Sequence, residues 1–412
     1  MEVDCVTCKG KYYSRPLKCG HSYCPIYTKV SLFQSKKVEK QHFLGTAPGV
    51  FVGRYGYPKV NVGILSPPEI VKDAELYESP HEWGKRKFAI EDVLRFRGPL
   101  INSRFENHVK TKNRYLEMSQ EVAMSSKAVD MEFFLTKKPN YTMKHDTIET
   151  PMGARAPLRK ALFQGNVKVD RKVDYIVSDT DLKAGDAIST LYKKGYDETF
   201  LNRLLSIGNL GVKGRRKLVP TRWSITATDD TVGKSMLNEV KKFKEADYQF
   251  YYGGYLGNYF MVLFFPRVWS YELFEMYLPS TLLNPGKDMK WTTDYELFSG
   301  RKKYVDETAG GYYASRLGVL EQMKRIKRQA AVVVLRFTSE EYHTHLGVWV
   351  VREAVRRAMK NPILCSSEKE MLDNARMIIA QRFRYNIDIN LKQSKVLKNI
   401  RTQKSIREFL KV

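Results

Sequence analysis

The spacing of apolar residues changes several times along this chain, and the changes predict a mixture of strands and helices. Short alternating runs with glycine and proline punctuation predict strands at 45–54, 57–65, 248–253 and 259–265. Valine alternation from 167 to 177 predicts further strands in the same way. Since strands and helices do not follow each other as regular βαβ units, the pattern favours a mixed α+β fold over a doubly wound sheet.

Helical spacing of apolar residues marks most of the remaining chain. A largely helical region with exposed basic residues is predicted from Ile90 to about Phe134. The apolar residues Ala184, Ala187 and Leu191 predict a helix that starts near Asp181. Further helices are predicted at 196–212, 235–243, 310–328, 348–359 and 368–385, with a buried strand at 330–337.

The length and composition allow two ordinary hydrophobic cores, because the chain has 412 residues and is 43% hydrophobic. Residues 284–288 contain adjacent proline and glycine and predict the boundary between two domains. The predicted organisation has four parts: a metal-binding knuckle at 1–30, an α+β domain at 31–285, a second domain at 286–395 and a flexible tail at 396–412.

The cysteine spacing predicts a metal site at the start of the chain. Four of the five cysteines form two close pairs, Cys5 with Cys8 and Cys19 with Cys24. Two thiolate pairs joined by a short loop can close a tetrahedral, structural Zn²⁺ site, with His21 as an alternative fourth ligand. Disulfides are the rival interpretation, but no secretory leader precedes the cysteines. The second metal site of a RING finger has no ligands here, which argues against ubiquitin-ligase chemistry.

The charge predicts a polyanionic partner. Seventy Lys and Arg residues against 45 Asp and Glu give a net charge of +25, which attracts DNA more strongly at low salt. The best candidate DNA contacts are a loop and a helix face: Lys213, Arg215, Arg216 and Lys217, then Lys324, Arg325, Lys327 and Arg328. No apolar run is long enough to span a membrane, because the densest one, 259–265, stops at Pro266. We expect an intracellular protein, cytoplasmic and associated with the nucleoid.

Catalytic residues are not identified by any strong motif. Asp229 and Asp230 could hold a divalent metal for phosphodiester cleavage, although a helix cap at Thr228 or Asp229 explains the same residues better. His343 and His345 would point to one face if they lay on a strand, which is a weak metal signature. The region 311–321 has aromatic, Arg and Glu residues of the kind that hold a nucleotide.

The end of the chain predicts a partner protein. Gln403, Ile406, Phe409 and Leu410 have the spacing of the short peptide that sliding clamps capture. One tight helical turn would place the three apolar side chains on one side, and the Gln403 amide could fill a separate polar pocket. The motif resembles the PCNA-interacting peptide, although Leu410 stands where a second aromatic residue is common.

The whole chain is similar to the archaeal Nre family of DNA-repair proteins. The resemblance rests on the cysteine knuckle, the stretch from Pro220 to Asp230, the separate C-terminal domain and the clamp peptide. It implies a role in DNA-damage repair with PCNA, and it transfers no catalytic residues. Two hypotheses follow: a zinc-stabilised, DNA-binding repair factor recruited by the clamp, or an enzyme acting on DNA as a metal-dependent nuclease or a nucleotide-dependent modifier. RNA binding is a third, less favoured hypothesis.

Overall fold

The computed structural model describes residues 40–140 and 153–403, and the chain divides into two compact units. The first unit extends to Val232 and also contains Thr344–Leu346, whereas the second contains Gly233–His343 and the chain from Gly347 onward. Strands and helices occur in both units, so the predicted α+β class is confirmed. The predicted knuckle at 1–30 lies outside the described residues.

A mixed sheet forms the centre of the first unit. Among the described residues its strands are β1 (His42–Ala47), β2 (Gly49–Val52), β3 (Lys59–Ser66), β4 (Ile101–His108), β5 (Val129–Leu135) and β6 (Arg155–Phe163). Their order is β1-β5-β6-β4-β3-β2, and β4 pairs with β6 in parallel. Although β1 and β2 are the outermost of these strands, Pro48 alone separates them along the chain. A single residue spans only about 7 Å between its neighbours, so the sheet must curl until its two edges meet there.

The first unit also contains helices. They are α1 (Pro80–Arg86), α2 (Ile90–Arg97), α3 (Arg114–Met124), α4 (Arg171–Ser178), α5 (Ala184–Lys193) and α6 (Glu198–Ser206), followed by α7 (Thr221–Val240), which continues past Val232. The core contains Val60, Val62 and Ile64 from β3, and Leu116 and Val122 from α3 pack into the same cluster. Burial of this cluster is the main source of stability in the first unit.

One buried arginine holds the place where the sheet edges meet. Arg203 of α6 donates hydrogen bonds from Nη1 to the Pro48 carbonyl at 2.7 Å, from Nε to Ala123 O at 3.0 Å and from Nη2 to Ser125 O at 2.9 Å. Burial lowers the pKa of this guanidinium to about 10, but the group stays charged at neutral pH. The end of α3 and the β1–β2 junction are therefore tied to α6 by one side chain.

The second unit has its own mixed sheet. In the described part of the chain its strands are β8 (Gln249–Tyr255), β9 (Asn258–Phe265), β10 (Ser270–Tyr277), β11 (Lys290–Glu296), β13 (Ala331–Thr338) and β14 (Pro362–Leu364). Their order is β11-β10-β13-β9-β8-β14, with β10 and β13 parallel. A separate short parallel pair joins β7 (Lys244–Glu245) to β12 (Arg328–Gln329). The remaining helices are α8 (Ala309–Ile326), α9 (Trp349–Ala358), α10 (Glu368–Phe383), α11 (Asp388–Gln393) and α12 (Lys395–Thr402).

The two faces of this sheet are covered by different helices. Phe274 and Met276 of β10 face a cluster with Met371 and Ile379 of α10. On the opposite face, Tyr271 packs edge-to-face against Tyr312 of α8, with ring centroids 5.0 Å apart. Because successive side chains of a strand alternate between faces, β10 contributes to both layers, and the unit has a helix–sheet–helix arrangement.

Charged groups are buried on the α8 side of the sheet. Arg316 Nη1 contacts Glu296 Oε2 at 2.7 Å, and each residue is 2% exposed. Arg336 donates to Asn258 Oδ1 at 2.6 Å and forms an ion pair with Glu275. These pairs cross-link neighbouring strands and α8, so the region predicted to hold a nucleotide is instead part of a packed core.

A buried carboxylate organises the start of α8. Asp294 of β11 accepts hydrogen bonds from the backbone N–H groups of Asp306, Glu307 and Thr308, at 3.1, 2.9 and 2.8 Å, and from the Thr308 hydroxyl at 2.9 Å. Burial favours its neutral form, but these hydrogen bonds outweigh burial and hold its pKa below the ordinary value. The loop before α8 is thereby fixed to the sheet.

Two secondary-structure predictions were wrong in informative ways. The region from Ile90 to Phe134 contains β4 and β5 as well as α2 and α3, because residues 101–108 alternate between buried and open positions. The predicted strand through Val173 and Val177 is instead α4, since Val173 and Ile176 are buried at helical spacing and Asp170 caps the helix through Lys172 N at 2.8 Å.

The loop predicted as the domain boundary, 284–288, connects β10 to β11, which pair antiparallel in one sheet. The division into compact units falls after Val232, within α7, and the boundary at 284–288 stays a prediction.

Candidate nucleic-acid interface

Three segments that are distant in sequence meet at the surface of the first unit. The backbone N–H of Val109 donates to the Pro58 carbonyl at 2.9 Å, and the Leu218 N–H donates to the Val109 carbonyl at 2.9 Å. We call the resulting region, residues 53–59, 108–114 and 213–223, the three-loop surface. Side chains next to these contacts, among them Tyr57, Lys110 and Lys217, are therefore brought into one neighbourhood.

The turn between β2 and β3 is the first of these segments. It is closed by hydrogen bonds from Gly53 N to Asn61 O at 2.8 Å and from Lys59 N to Gly56 O at 2.9 Å. Gly56 has φ +82°, and a Cβ there would lie 2.6 Å from the Lys59 carbonyl oxygen. Only glycine adopts this conformation without strain, so the turn has a defined shape.

The second segment, between β4 and α3, is held by two asparagines. Asn107 Nδ2 donates to the His108 and Thr111 carbonyls at 3.0 and 2.8 Å, and Asn113 Nδ2 donates to Asn107 Oδ1 at 2.7 Å. Asn113 also caps α3 by accepting from Leu116 N at 2.9 Å. The segment carries three exposed cations: Lys110, Lys112 and Arg114.

The third segment leads into α7. Thr221 Oγ1 accepts from Val52 N at 2.9 Å and lies 3.0 Å from Ser206 Oγ. One turn later, the buried Ser224 hydroxyl donates to Asn202 Oδ1. These contacts fix the first turn of α7 to β2 and α6, and Trp223 lies on the outer side of that turn.

Large aromatic side chains are exposed on this surface. Tyr55, Tyr57 and Trp223 are 67%, 41% and 46% exposed. The Tyr57 and Trp223 ring centroids are 5.2 Å apart at an interplanar angle of 54°. The Arg54 guanidinium lies 4.9 Å from the Tyr55 ring centroid and donates to its hydroxyl at 2.9 Å. Exposed aromatic and cationic groups on one surface are typical of sites that contact nucleic acids.

The predicted basic loop contributes three of its four cations to the three-loop surface. Lys213, Arg215 and Lys217 are exposed. Arg216 differs, because its Nε donates to Gly211 O at 2.6 Å and its Nη2 donates to Asp179 O at 2.8 Å. Burial also lowers the pKa of Arg216. We infer that Arg216 shapes the loop while its three neighbours are open to solvent.

The second predicted basic patch lies at the end of α8, in the second unit. Lys324 Nζ lies 2.8 Å from Glu239 Oε2, and Arg325 Nε donates to Gln322 Oε1 at 2.8 Å. Lys327 and Arg328 are exposed. In the backbone pairing of β12 with β7, Arg328 lies opposite another cation, Lys244. The contact with Glu239 thus neutralises Lys324, and we take the three-loop surface, which also has exposed aromatic rings, as the stronger candidate.

The predicted acidic site lies in a different environment from the one expected. Asp229 and Asp230 belong to the middle of α7, which begins at Thr221, so the interpretation of Thr228 or Asp229 as a helix cap was wrong. Asp229 is 1% exposed and cannot meet an incoming phosphate without a rearrangement. Within 40–140 and 153–403, no three or more His, Cys, Asp or Glu side chains are grouped as metal ligands.

The metal interpretation of the histidine pair depended on a strand at these residues. His343 and His345 lie in the loop between β13 and α9, so they do not share a strand face as the metal interpretation required.

The predicted zinc ligands Cys5, Cys8, Cys19, Cys24 and His21 lie outside the described residues, as do Ile406, Phe409 and Leu410 of the clamp peptide. Gln403 is described: it is exposed and ends α12, with its backbone N–H donating to Asn399 O at 2.9 Å. No helix in the described part of the chain has the length and apolar character needed to cross a membrane.

The fold defines a two-unit α+β protein whose first unit has a basic, aromatic surface. Comparison with known proteins gives the family. The family models described as "Archaeal Nre, N-terminal" and "Archaeal Nre, C-terminal" match residues 18–284 and 296–409. The chain therefore belongs to the archaeal Nre family, as the resemblance predicted.

Relatives of similar length support this assignment. "DNA repair protein NreB" of Archaeoglobus fulgidus is 34% identical over 409 residues, which cover 99% of this chain and 100% of the relative. "DNA repair protein NreA" of Haloferax volcanii is 38% identical over 77% of each chain. "DNA repair protein NreA" of Archaeoglobus fulgidus is 35% identical over 88% of this chain and 90% of the relative. No solved structure matches the chain.

Sequence reasoning missed the aromatic half of the site. Tyr55 and Tyr57 stand in a short turn beside Arg54, Gly56 and Pro58, and this mixture of aromatic, basic and turn residues was the available signal. Because this turn is far in sequence from the basic loop at 213–217, the sequence alone did not indicate that the two lie close together.

Proposed function

We propose that this protein is a DNA-repair factor that binds DNA through the three-loop surface and is brought to its site of action, at the nucleoid, by a sliding clamp. The observation that carries the DNA-binding part is the meeting of exposed cations and aromatic rings on loops held by backbone hydrogen bonds. The names of the relatives support the repair role.

The electrostatics of the three-loop surface suit a phosphate backbone. Its exposed cations are Lys59, Lys110, Lys112, Arg114, Lys213, Arg215, Lys217 and Arg222. Each cation that neutralises a phosphate releases a counterion, so log K falls by roughly 0.9 per contact and decade of salt for duplex DNA, or about 0.7 for a single strand.

The test removes three of these charges together. We expect Lys110→Ala/Lys213→Ala/Lys217→Ala to lower the slope of log K against log salt by about 2 to 3, and to weaken binding to every DNA sequence alike. Fluorescence anisotropy over a salt series measures both effects. The matched control is a triple alanine variant at other exposed lysines of the first unit, Lys72, Lys137 and Lys193.

Equal loss in the two triple variants would refute the proposed surface, since binding would then depend on net charge alone. No loss in either variant would refute DNA binding by the first unit.

Clamp recruitment is supported by the terminal peptide. The structure describes the chain as far as Gln403, an exposed residue at the end of α12, and Ile406, Phe409 and Leu410 follow within the last nine residues. Helix-in-groove capture by PCNA requires that the first residue of the peptide, here Gln403, be exposed.

Calorimetric titration of PCNA with the full chain tests recruitment. We expect Ile406→Ala/Phe409→Ala to abolish the binding heat, whereas Ser405→Ala/Lys411→Ala, on the same peptide, should retain it. Equal heats from the wild type and the first variant would remove the clamp from the proposal. We also propose that the four N-terminal cysteines hold one structural Zn²⁺, because their paired spacing is that of a closed thiolate site.

A further inference from the structure

We infer that the three-loop surface recognises DNA containing unpaired bases, which stack on Trp223 and Tyr57 while the surrounding cations hold the phosphates. This inference rests on the proposed DNA binding and specifies the DNA structure that the same surface prefers.

The exposure of Trp223 is the first observation. All five tryptophans lie in the described residues, and Trp83, Trp269 and Trp349 are at most 5% exposed, whereas Trp223 is 46% exposed. A side chain that could bury a large apolar area in the core is thus held in solvent. Aromatic groups that are exposed and surrounded by cations indicate a ligand with flat, apolar faces and negative charge.

The geometry of the ring pair is the second observation. Tyr57 and Trp223 are 5.2 Å apart but inclined by 54°, so the two rings do not cover each other face to face. Each remains more than two-fifths exposed. A planar base can therefore contact either ring, and Tyr55, held by Arg54, offers another aromatic group in the same turn.

The support beneath the rings is the third observation. Trp223 is carried on a helical turn fixed by Thr221 and Ser224, and Tyr57 is carried on the turn whose shape depends on Gly56. The backbone that carries each ring is therefore already ordered before DNA binds. Prior ordering reduces the entropic cost of binding and favours this surface as a preformed platform.

Duplex DNA and DNA with unpaired bases differ in how much of each base face is open to an aromatic side chain, and this difference gives the expected preference for unpaired bases. In a duplex, the faces of the bases are covered by their neighbours, so aromatic side chains gain little from them. An unpaired base offers its faces, and stacking on an aromatic side chain strengthens binding by roughly 5- to 150-fold per base. The cations act on both forms and give no comparable preference.

A protein partner is the competing occupant, since Trp, Tyr and Arg also dominate protein interfaces. The nearby cations favour DNA: Lys110 and Lys217 adjoin the backbone contacts that join the three segments, and the chain as a whole has a net charge of +25.

The experiment compares three fluorescent probes with the full chain at fixed salt: a 20-nucleotide single strand, its duplex, and the duplex with a three-nucleotide bulge. We expect the single strand and the bulge to bind at least about tenfold more tightly than the duplex. Trp223→Leu and Tyr57→Leu keep an apolar side chain but remove the aromatic face. Each should weaken binding to the first two probes by roughly 5- to 150-fold and change duplex binding less than about twofold.

Tyr175→Leu is the matched control, because Tyr175 is 70% exposed on α4 of the same unit. It should leave all three affinities unchanged. Trp223→Phe, which restores an aromatic face, should recover most of the lost affinity. Circular dichroism of each variant checks that the fold is retained.

Equal affinity of the wild type for all three probes would overturn the inference, as would an equal loss of all three affinities in Trp223→Leu. If the triple lysine variant loses DNA binding while Trp223→Leu changes nothing, the proposed function stands and the inference fails, leaving a protein contact as the role of the rings. If the lysine variant binds DNA normally, the proposed surface itself fails.

Discussion

The buried pair Glu296–Arg316 offers a quantitative test of what holds the second unit together. Glu296 Oε2 accepts from Arg316 Nη1 at 2.7 Å, and its other oxygen accepts from Trp269 Nε1 at 3.0 Å. The substitution Glu296→Gln keeps the shape but removes the charge. Because Arg316 is 2% exposed, its guanidinium would then stay in the core without the carboxylate charge of Glu296.

The expected loss follows from this burial. Removing one partner of a buried ion pair costs about 3–5 kcal/mol of unfolding free energy, mainly because the remaining charge stays desolvated after that partner is lost. For a unit of this size, that loss corresponds to a decrease in Tm of roughly 6–20 °C. Replacing both groups, as Glu296→Leu/Arg316→Met, should recover part of this loss, because the variant buries neither member of the ion pair.

Guanidinium denaturation followed by tryptophan fluorescence measures these differences, and Trp269, which is fully buried beside Glu296, is a local reporter. A loss below about 1 kcal/mol in Glu296→Gln would refute the reasoning, because it would mean that water reaches the pair and screens it. A double variant as unstable as the single one would assign the loss to packing instead of charge.

Three further predictions concern pH, a turn and a metal. The pKa of Asp294 is held below its ordinary value of 3.8, so its stabilising effect is present above that pH and is lost as pH falls through its folded pKa. Asp294→Asn should therefore lower the denaturation midpoint at pH 7, and a difference from the wild type that stayed constant down to pH 3 would contradict this. Gly56→Ala should cost roughly 1–2 kcal/mol and weaken single-strand binding, whereas Gly165→Ala, with nothing within 4 Å of its Cβ, should change neither in the same assays. Metal analysis should find about one zinc per chain, reduced by Cys8→Ser but not by Cys365→Ser, and a metal-free, folded wild type would disprove the knuckle.

The sequence correctly predicted the strands and helices whose apolar residues fit only one spacing, either that of a strand or that of a helix. The runs at 248–253 and 259–265 became β8 and β9, and the helical spacing around Leu191 became α5. Prediction failed where the apolar residues fit both the strand and the helix spacing. In 171–178 the alternating valines indicated a strand, but the helical spacing of Val173 and Ile176 is the one that the fold buries. It also failed at α7, where threonine has a low helix propensity but Thr228 is fully buried, so tertiary packing decides the conformation.

The cations of the candidate site could be predicted from the sequence, but the contacts that bring its three segments together could not. Lys213, Arg215 and Lys217 are adjacent in sequence, so their charge was visible as a cluster. Arg216 looked identical to them, and only its two carbonyl acceptors separate it from the exposed cations. The link between Pro58, Val109 and Leu218 consists of backbone hydrogen bonds, which no side-chain pattern encodes.

The junction at Pro48 has a consequence for how the chain is made. β1 pairs with β5, and Thr46 Oγ1 contacts Asp130 Oδ1 across 84 positions of sequence. During synthesis β1 therefore leaves the ribosome long before its partner exists, and Pro48 has no N–H with which to start a local hairpin. The Arg203 side chain that anchors the junction emerges later still. β1 must therefore remain an unpaired strand, open to chaperones or to wrong partners, until β5 has been synthesised, and the first unit stays incomplete until α6 follows.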